Sequence, residues 1–236
     1  MSQNGYIVIL TGAGISAESG LQTFRAADGL WEGHRVEDVA TPEAFERDPA
    51  MVHAFYDARR ARLSAVEPNA AHVALARLDA DWRGKLLIVT QNVDDLHERA
   101  GAKRLIHMHG ELRKGWCLSC DERFAWNGAM GAGAPCPRCG SVGMVRPDIV
   151  WFGEMPYEME AIDAALFHAD LFVSIGTSGA VYPAAGFVQT ARHRGARTLE
   201  INLEPSQGSL FFDERRYGRA SVEVPSWVEG MLSGRA

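Results

Sequence analysis

The sequence predicts an α/β fold: a parallel sheet covered by helices on both faces, with a smaller lobe inserted into it. Three observations carry this reading. Five apolar runs rich in β-branched residues alternate with helical patterns along the chain. Two stretches, 24–84 and 112–147, break that alternation and read as insertions. At 236 residues, 47% of them hydrophobic, the chain suffices for one large core plus an insertion.

The five runs are YIVILT (6–11), KLLIVTQ (85–91), LIHMH (105–109), LFVSIGT (171–177) and TLEIN (198–202). Between them, NVDDLHERAG ends on Gly101, a natural residue after a helix C-terminus, and YPAAGFVQTARHRG closes on Gly195. PNAAHVALARL opens with Asn69 as a cap, and Asp48-Pro49 is a second helix opening. In the second insertion, NGAMGAGAP (127–135) reads as a loop between cysteine pairs.

The formal net charge of −6 gives no basic footprint, so nucleic acid is not expected as a standing partner, although basic protein tails remain compatible. No run of 18 apolar residues is present, which argues against a membrane span. MSQNGYIVIL lacks a basic region ahead of an apolar stretch and cleavage site, so a cytoplasmic location is expected.

All four cysteines lie in C117-L-S-C120, a fifteen-residue spacer, and C136-P-R-C139. Two such knuckles can place four thiolates tetrahedrally around Zn²⁺, and a redox pair would normally stand alone. A four-thiolate shell leaves no position for a reactive water, so Cys117, Cys120, Cys136 and Cys139 are expected to hold one structural zinc.

The first strand runs into G12-A-G14-I-S-A17, a G-x-G-x-x-A turn expected to open a helix and bring backbone N–H groups to a pyrophosphate. Such turns also serve as plain connections. The acidic residue that hydride-transferring dehydrogenases place some twenty residues on is missing, because that region reads FRAADGLWEGH. Later strands deliver T90-Q-N-V-D94, H107-M-H109-G110, GTS (176–178) and NLE (202–204) at their C-terminal ends, where open α/β sheets bind ligands. A neutral imidazole there suits general-base work on a hydroxyl, but spacing hardly separates His107 from His109.

In FYDARR (55–60), Arg59 falls near the middle of an apolar helix stripe formed by Val52, Phe55, Tyr56 and Leu63, with Arg60 and Arg62 on the flanks. A cation so placed either snorkels to water or faces an anion.

GAGIS (12–16), FR (24–25), QNVD (91–94), HG (109–110), the paired C-x-x-C, FGE (152–154), GTS and NLE occur in that order. Over nearly the whole chain this resembles the sirtuin family of NAD-dependent protein-lysine deacylases, especially its bacterial CobB-type members. Thr23 stands where many sirtuins carry Asp, and the TFR form narrows the subgroup.

The resemblance implies a Rossmann-like parallel sheet domain (1–30, 85–111 and 148–236) with a smaller lobe of a helical insertion (31–84) and a zinc ribbon (112–147). NAD would lie between them as a consumed co-substrate, touched by Gly12, Ala13, Gly14, Ile15, Phe24, Arg25 and Trp31. Gln91, Asn92, Val93 and Asp94 would meet its nicotinamide ribose and carboxamide. Gly176, Thr177, Ser178, Asn202, Leu203, Glu204 and Ala220 would line its adenosine end. Val150, Trp151, Phe152 and Gly153 would carry the acyl-lysine peptide as an added strand.

His109, with Asn92, would be catalytic. In the reaction the resemblance implies, the acyl oxygen would attack C1′ of the ribose, nicotinamide would leave, and His109 would take a hydroxyl proton so that the 2′-oxygen could attack the resulting imidate. Water would then yield free lysine and 2′-O-acyl-ADP-ribose.

A Tyr-x-x-Arg pair, here Tyr56 and Arg59, marks the sirtuins that accept succinyl and malonyl groups beside acetyl, and small Ala40 leaves room beside it. A monomer is expected. Mono-ADP-ribosyl transfer to protein, or NAD and zinc binding without turnover, are the competing readings.

Overall fold

The computed structural model describes residues 4–22, 30–31 and 33–234, residues 30 and 31 by backbone alone. The chain begins with β1 (Ile7–Thr11) and two single 3-10 turns, Ala13–Ile15 and Ala17–Ser19. A hairpin of β2 (Leu30–Trp31) and β3 (His34–Arg35) precedes four helices: α1 (Val36–Val39), α2 (Pro42–Arg47), α3 (Pro49–Leu63) and α4 (Ala70–Asp81). Then come β4 (Leu86–Thr90), α5 (Leu96–Ala100), β5 (Leu105–His107), β6 (Gly110–Cys117), β7 (Arg123–Ala125) and β8 (Val145–Ile149). The last third holds α6 (Met159–His168), β9 (Leu171–Ile175), α7 (Phe187–His193), β10 (Arg197–Asn202), β11 (Glu214–Tyr217) and α8 (Ala220–Leu232).

Six strands form the main sheet in the order β11-β10-β9-β1-β4-β5, and every pairing is parallel. Both faces are covered, which is why the strands read as unbroken apolar runs. Ile7 and Ile9 of β1 join one core cluster with α4 and α8, while Val8 and Leu10 join another with α6 and α7. This strand order places a reversal beside β1, so the chain leaves β1, β4 and β9 towards one shared edge.

The second stretch that broke the alternation is a three-stranded antiparallel sheet, β7-β6-β8, beside the cysteines. A third cluster, including Val39, Val52, Tyr56, Leu63, Leu112 and Trp151, joins α1–α3 to that sheet. Among the described residues no helix is long and apolar enough to cross a membrane.

Helix starts follow the sequence closely. The Asp48 carboxylate accepts from Met51 N at 2.9 Å, with Pro49 at the first helical position. Asn69 Oδ1 accepts from Ala71 N at 2.9 Å, and His72 Nδ1 accepts the Asn69 N–H in return at 3.3 Å, a closed capping box.

Two expectations need correcting, and one strand was not foreseen. The Gly12–Ala17 turn opens 3-10 turns rather than an α-helix, so no long helix dipole stands behind it. The small-lobe boundary at residue 84 falls too late, because Ala71, Leu75 and Leu78 of α4 pack in one cluster with the main sheet. Edge strand β11, ERRY, pairs with β10 alone and buries none of its residues, so it carries no apolar run.

Gly110 sets the close pairing of β6 with β8, opposite Ile149. It has φ +79°, and a Cβ there would collide with Asp148 O and press on Ile149 Cα at 3.0 Å. Gly110→Ala is expected to cost about 2–4 kcal/mol from strain and overpacking. Gly133→Ala, where a Cβ meets nothing within 4 Å, should stay within about 0.5 kcal/mol. Urea unfolding of the two variants beside the parent chain checks the difference.

Candidate active site

A cleft of about 770 Å³ runs along the C-terminal edge of the main sheet, facing β8 and α3. Its floor depends on two loops whose backbones touch. Gly14 N donates to Gly176 O at 2.8 Å, and Gly12 N to Ile175 O at 3.0 Å. A Cβ on Gly14 would lie 2.7 Å from Gly176 Cα, and one on Gly176 (φ +63°) 2.5 Å from Ile15 N. Side chains are excluded at that crossing, which leaves bare backbone facing the cleft.

Gly12, Ala13 and Gly14 line the cleft, whereas Ile15 is fully buried in the sheet core. Gly176, Thr177, Ser178, Asn202, Leu203 and Glu204 line its other end, where Asn202 Nδ2 ties the two loops by donating to Thr177 O at 2.7 Å. Ala220 does not line the cleft, because it opens α8 and packs against the sheet core. Phe24, Arg25 and the Trp31 side chain lie outside the described residues.

Gln91, Asn92, Val93 and Asp94 line the middle. Asn92 is held on every side: its N–H donates to Thr90 Oγ1 at 3.0 Å, and Nδ2 donates to Gly12 O and Ser16 Oγ, each at 3.1 Å. Ser16 Oγ donates in turn to Asp94 Oδ2 at 3.0 Å, and Leu96 N to Asp94 Oδ1 at 3.1 Å. Burial still pushes the Asp94 carboxyl upward.

Sequence reading missed a histidine pair beneath this floor. His72 and His97 are fully buried with ring centroids 5.0 Å apart. His72 Nδ1 is taken by the capping box, so Nε2 carries the proton and points at Ser16 Oγ, 3.4 Å away. Burial holds His72 down at about 4 and His97 far below its ordinary value, so both are neutral. The one visible signal was His72 at the third position after an Asn cap.

The two histidines of HMH separate cleanly. The Nδ1–H of His109 donates to Gln91 O at 3.1 Å, and its ring lines the cleft. Burial pushes His109 below its ordinary range, outweighing that hydrogen bond, and the basic nitrogen of the neutral ring is Nε2. His107 instead donates Nδ1–H to Asn92 O at 3.1 Å, with Nε2 2.6 Å from Glu98 Oε1. Burial opposes its charge, but the Glu98 carboxylate prevails and raises its pKa. Only one of the pair is a free base in the cleft.

Val150, Trp151, Phe152 and Gly153 line the opposite wall. The segment is fixed by Val150 N to His109 O at 2.9 Å and Phe152 N to Ala40 O at 3.0 Å. A buried Arg146 clamps it from behind, with contacts of 2.6 and 2.9 Å to Glu154 and its guanidinium 3.3 Å from the Trp151 ring centre. Arg146 is the second missed group, since VRPDI carries no recognisable signal.

On α3, Val52, Phe55, Tyr56 and Leu63 are buried, as the stripe predicts. Tyr56 OH accepts from Trp151 Nε1 at 2.9 Å, and burial drives the phenol pKa up. Tyr56, Arg59 and Arg62 all line the cleft, with Arg59 5.6 Å from the Phe55 ring. Arg60, expected on a flank, is instead buried, because the zinc-ribbon sheet covers that side of the helix.

The four cysteine sulfurs lie within 4.8 Å of one another, and Cys117–Cys139 and Cys120–Cys136 are each 3.8 Å apart. Four thiolates about 2.3 Å from a tetrahedral Zn²⁺ would stand about 3.8 Å apart. None is disulfide-bonded, and the donor set suits one zinc with no open position.

The Sir2 family pattern matches residues 12–183. An NAD-dependent protein deacylase of Vibrio cholerae is 57% identical over 98% of this chain and 95% of its own. One of Salmonella typhimurium is 55% identical over 99% and 86%. A solved Sir2 homologue–NAD complex superposes with a TM-score of 0.89 at 39% identity, over 98% of this chain and 91% of that one. A Sir2 bound to acetylated peptide gives 0.81 at 25% identity, over 98% and 94%. The chain belongs to the Sir2 family.

Proposed function

We propose that this protein is an NAD-dependent protein-lysine deacylase that removes acetyl groups and, through Tyr56 and Arg59, succinyl and malonyl groups. One observation carries the proposal: a neutral His109 faces the same cleft as the Gly12–Gly14 turn and the acyl wall at Val150–Gly153. Family membership and full-length likeness to NAD-dependent deacylases support the reaction class.

When bound, NAD supplies an electrophilic ribose carbon and nicotinamide as leaving group. Gly12 and Gly14 offer backbone without Cβ atoms to the pyrophosphate, and Asp94 and Asn92 orient the nicotinamide riboside. The 150–153 segment takes the peptide as an added strand and aims the acyl-lysine between His109 and α3. His109 Nε2 removes a ribose hydroxyl proton while Nδ1–H stays on Gln91 O, so the ring is oriented throughout. The cysteine-bound zinc takes no part in the chemistry. The proposed division counts α4 with the NAD-binding domain and α1–α3 with the ribbon in the small lobe.

His109→Ala should lower deacylation at least about 100-fold, with NAD binding retained. Parent kcat/KM should be full at neutral pH and fall as pH drops through a value below 6.5, because the base must be unprotonated. Full turnover in the variant sinks the assignment.

Arg59→Met should cut desuccinylation about 10- to 100-fold and leave deacetylation within about threefold. Matched acetyl- and succinyl-lysine peptides measure this, and equal survival of both activities removes Arg59 from acyl recognition. Cys136→Ser should lower bound zinc below one per chain and lower Tm, read by metal analysis and thermal unfolding. Unchanged zinc content would dismiss the site. ADP-ribose on protein without acyl loss would favour the transferase reading.

A further inference from the structure

Helix α3 serves two neighbours at once. Tyr56 and Arg59 lie three apart and line the cleft, while Asp57 and Arg60, three apart and one step round the helix, face the zinc ribbon. The ribbon side is tightly bonded. Arg60 is 2% exposed, and its Nε donates to Leu112 O of β6 at 2.6 Å. Its Nη1 donates to Asp57 Oδ1 at 2.6 Å and to Gly128 O at 3.3 Å. The Asp57 carboxylate accepts Met130 N on Oδ1 at 2.8 Å and Gly131 N on Oδ2 at 3.0 Å.

These partners belong to the loop between the two cysteine pairs, whose Gly128 (φ +81°) and Gly131 (φ +62°) let its carbonyl and N–H groups converge on the helix. The loop is itself anchored, since Met130 is buried with Cys117 and Cys136. Leu112 carries the contact further, its N–H donating to Val93 O at 2.8 Å, in the cleft-lining loop after β4.

A bidentate contact to a carboxylate tolerates displacements of only about 0.5 Å, whereas a neutral acyl group makes no such demand on Arg59. We propose that Asp57 and Arg60 are positioning residues for acyl selection, holding the rotation of α3 against the inter-cysteine loop so that Arg59 meets an acidic acyl group. This inference rests on the assignment of Tyr56 and Arg59 to acidic-acyl recognition. The ribbon thereby acts on substrate choice as well as on folding.

The test is Asp57→Asn in the full-length, zinc-loaded protein, with Arg60→Met beside it. Four quantities are read: kcat and KM for succinyl- and acetyl-lysine peptides, KM for NAD, bound zinc, and hydrogen exchange of residues 51–63. The expected result is an about tenfold loss in desuccinylation, mostly in KM, with deacetylation changed less than about threefold. KM for NAD and zinc content should stay at parent values, while exchange in 51–63 accelerates. A parallel fall in both deacylations, or no change in either, overturns the proposal. If the parent chain lacks desuccinylation and Arg59→Met changes nothing, the acidic-acyl reading fails on its own. The brace is then judged by exchange, and unaltered protection of 51–63 in both variants overturns it.

Discussion

Everything in the cleft is referred to one crossing of bare backbone, where Gly14 meets Gly176. Parallel strands β1 and β9 end in register, Thr11 opposite Ile175, so their loops emerge side by side and must share the same space. Glycine on both sides lets them interlock by a main-chain hydrogen bond instead of splaying apart. Asn92 is tied to the first of these loops through Gly12 O, and Asn202 to the second through Thr177 O. Moving either loop would move both ends of the cleft.

The same side-chain type performs opposite tasks within three residues. His107 and His109 each donate Nδ1–H to a neighbouring carbonyl of one loop, Asn92 and Gln91. What separates them is the second nitrogen. A carboxylate beside His107 favours the charged ring, while burial without a carboxylate keeps His109 neutral. The first becomes a fixed support for the loop and the second remains basic.

The main sheet was legible because both its faces are covered, so five of its six strands announce themselves as apolar runs. The helix caps at Asp48 and Asn69 were legible because capping is local chemistry. Four features were not. Arg60 looked like a flanking residue since nothing in the helix pattern reveals the ribbon packed over it. Arg146 and the His72–His97 pair depend on partners far along the chain, and α4 was misplaced because its layer depends on which cluster it joins. Order of motifs in sequence identified the family, but which polar residues reach the cleft is decided by tertiary contacts.

The central position of β1 also bears on how the chain comes to be folded. Its first neighbour, β4, follows within a hundred residues, but its other flank is closed by β9, and Tyr6 meets Asp170 across 164 positions. During synthesis β1 therefore emerges well before β9, apolar on both faces, and keeps one edge unpaired until residues 171–175 follow. The ribbon, whose strands lie between residues 110 and 149, can close by local pairing in the meantime. Nascent chains of this protein are thus most exposed to aggregation and chaperone capture before β9 is made.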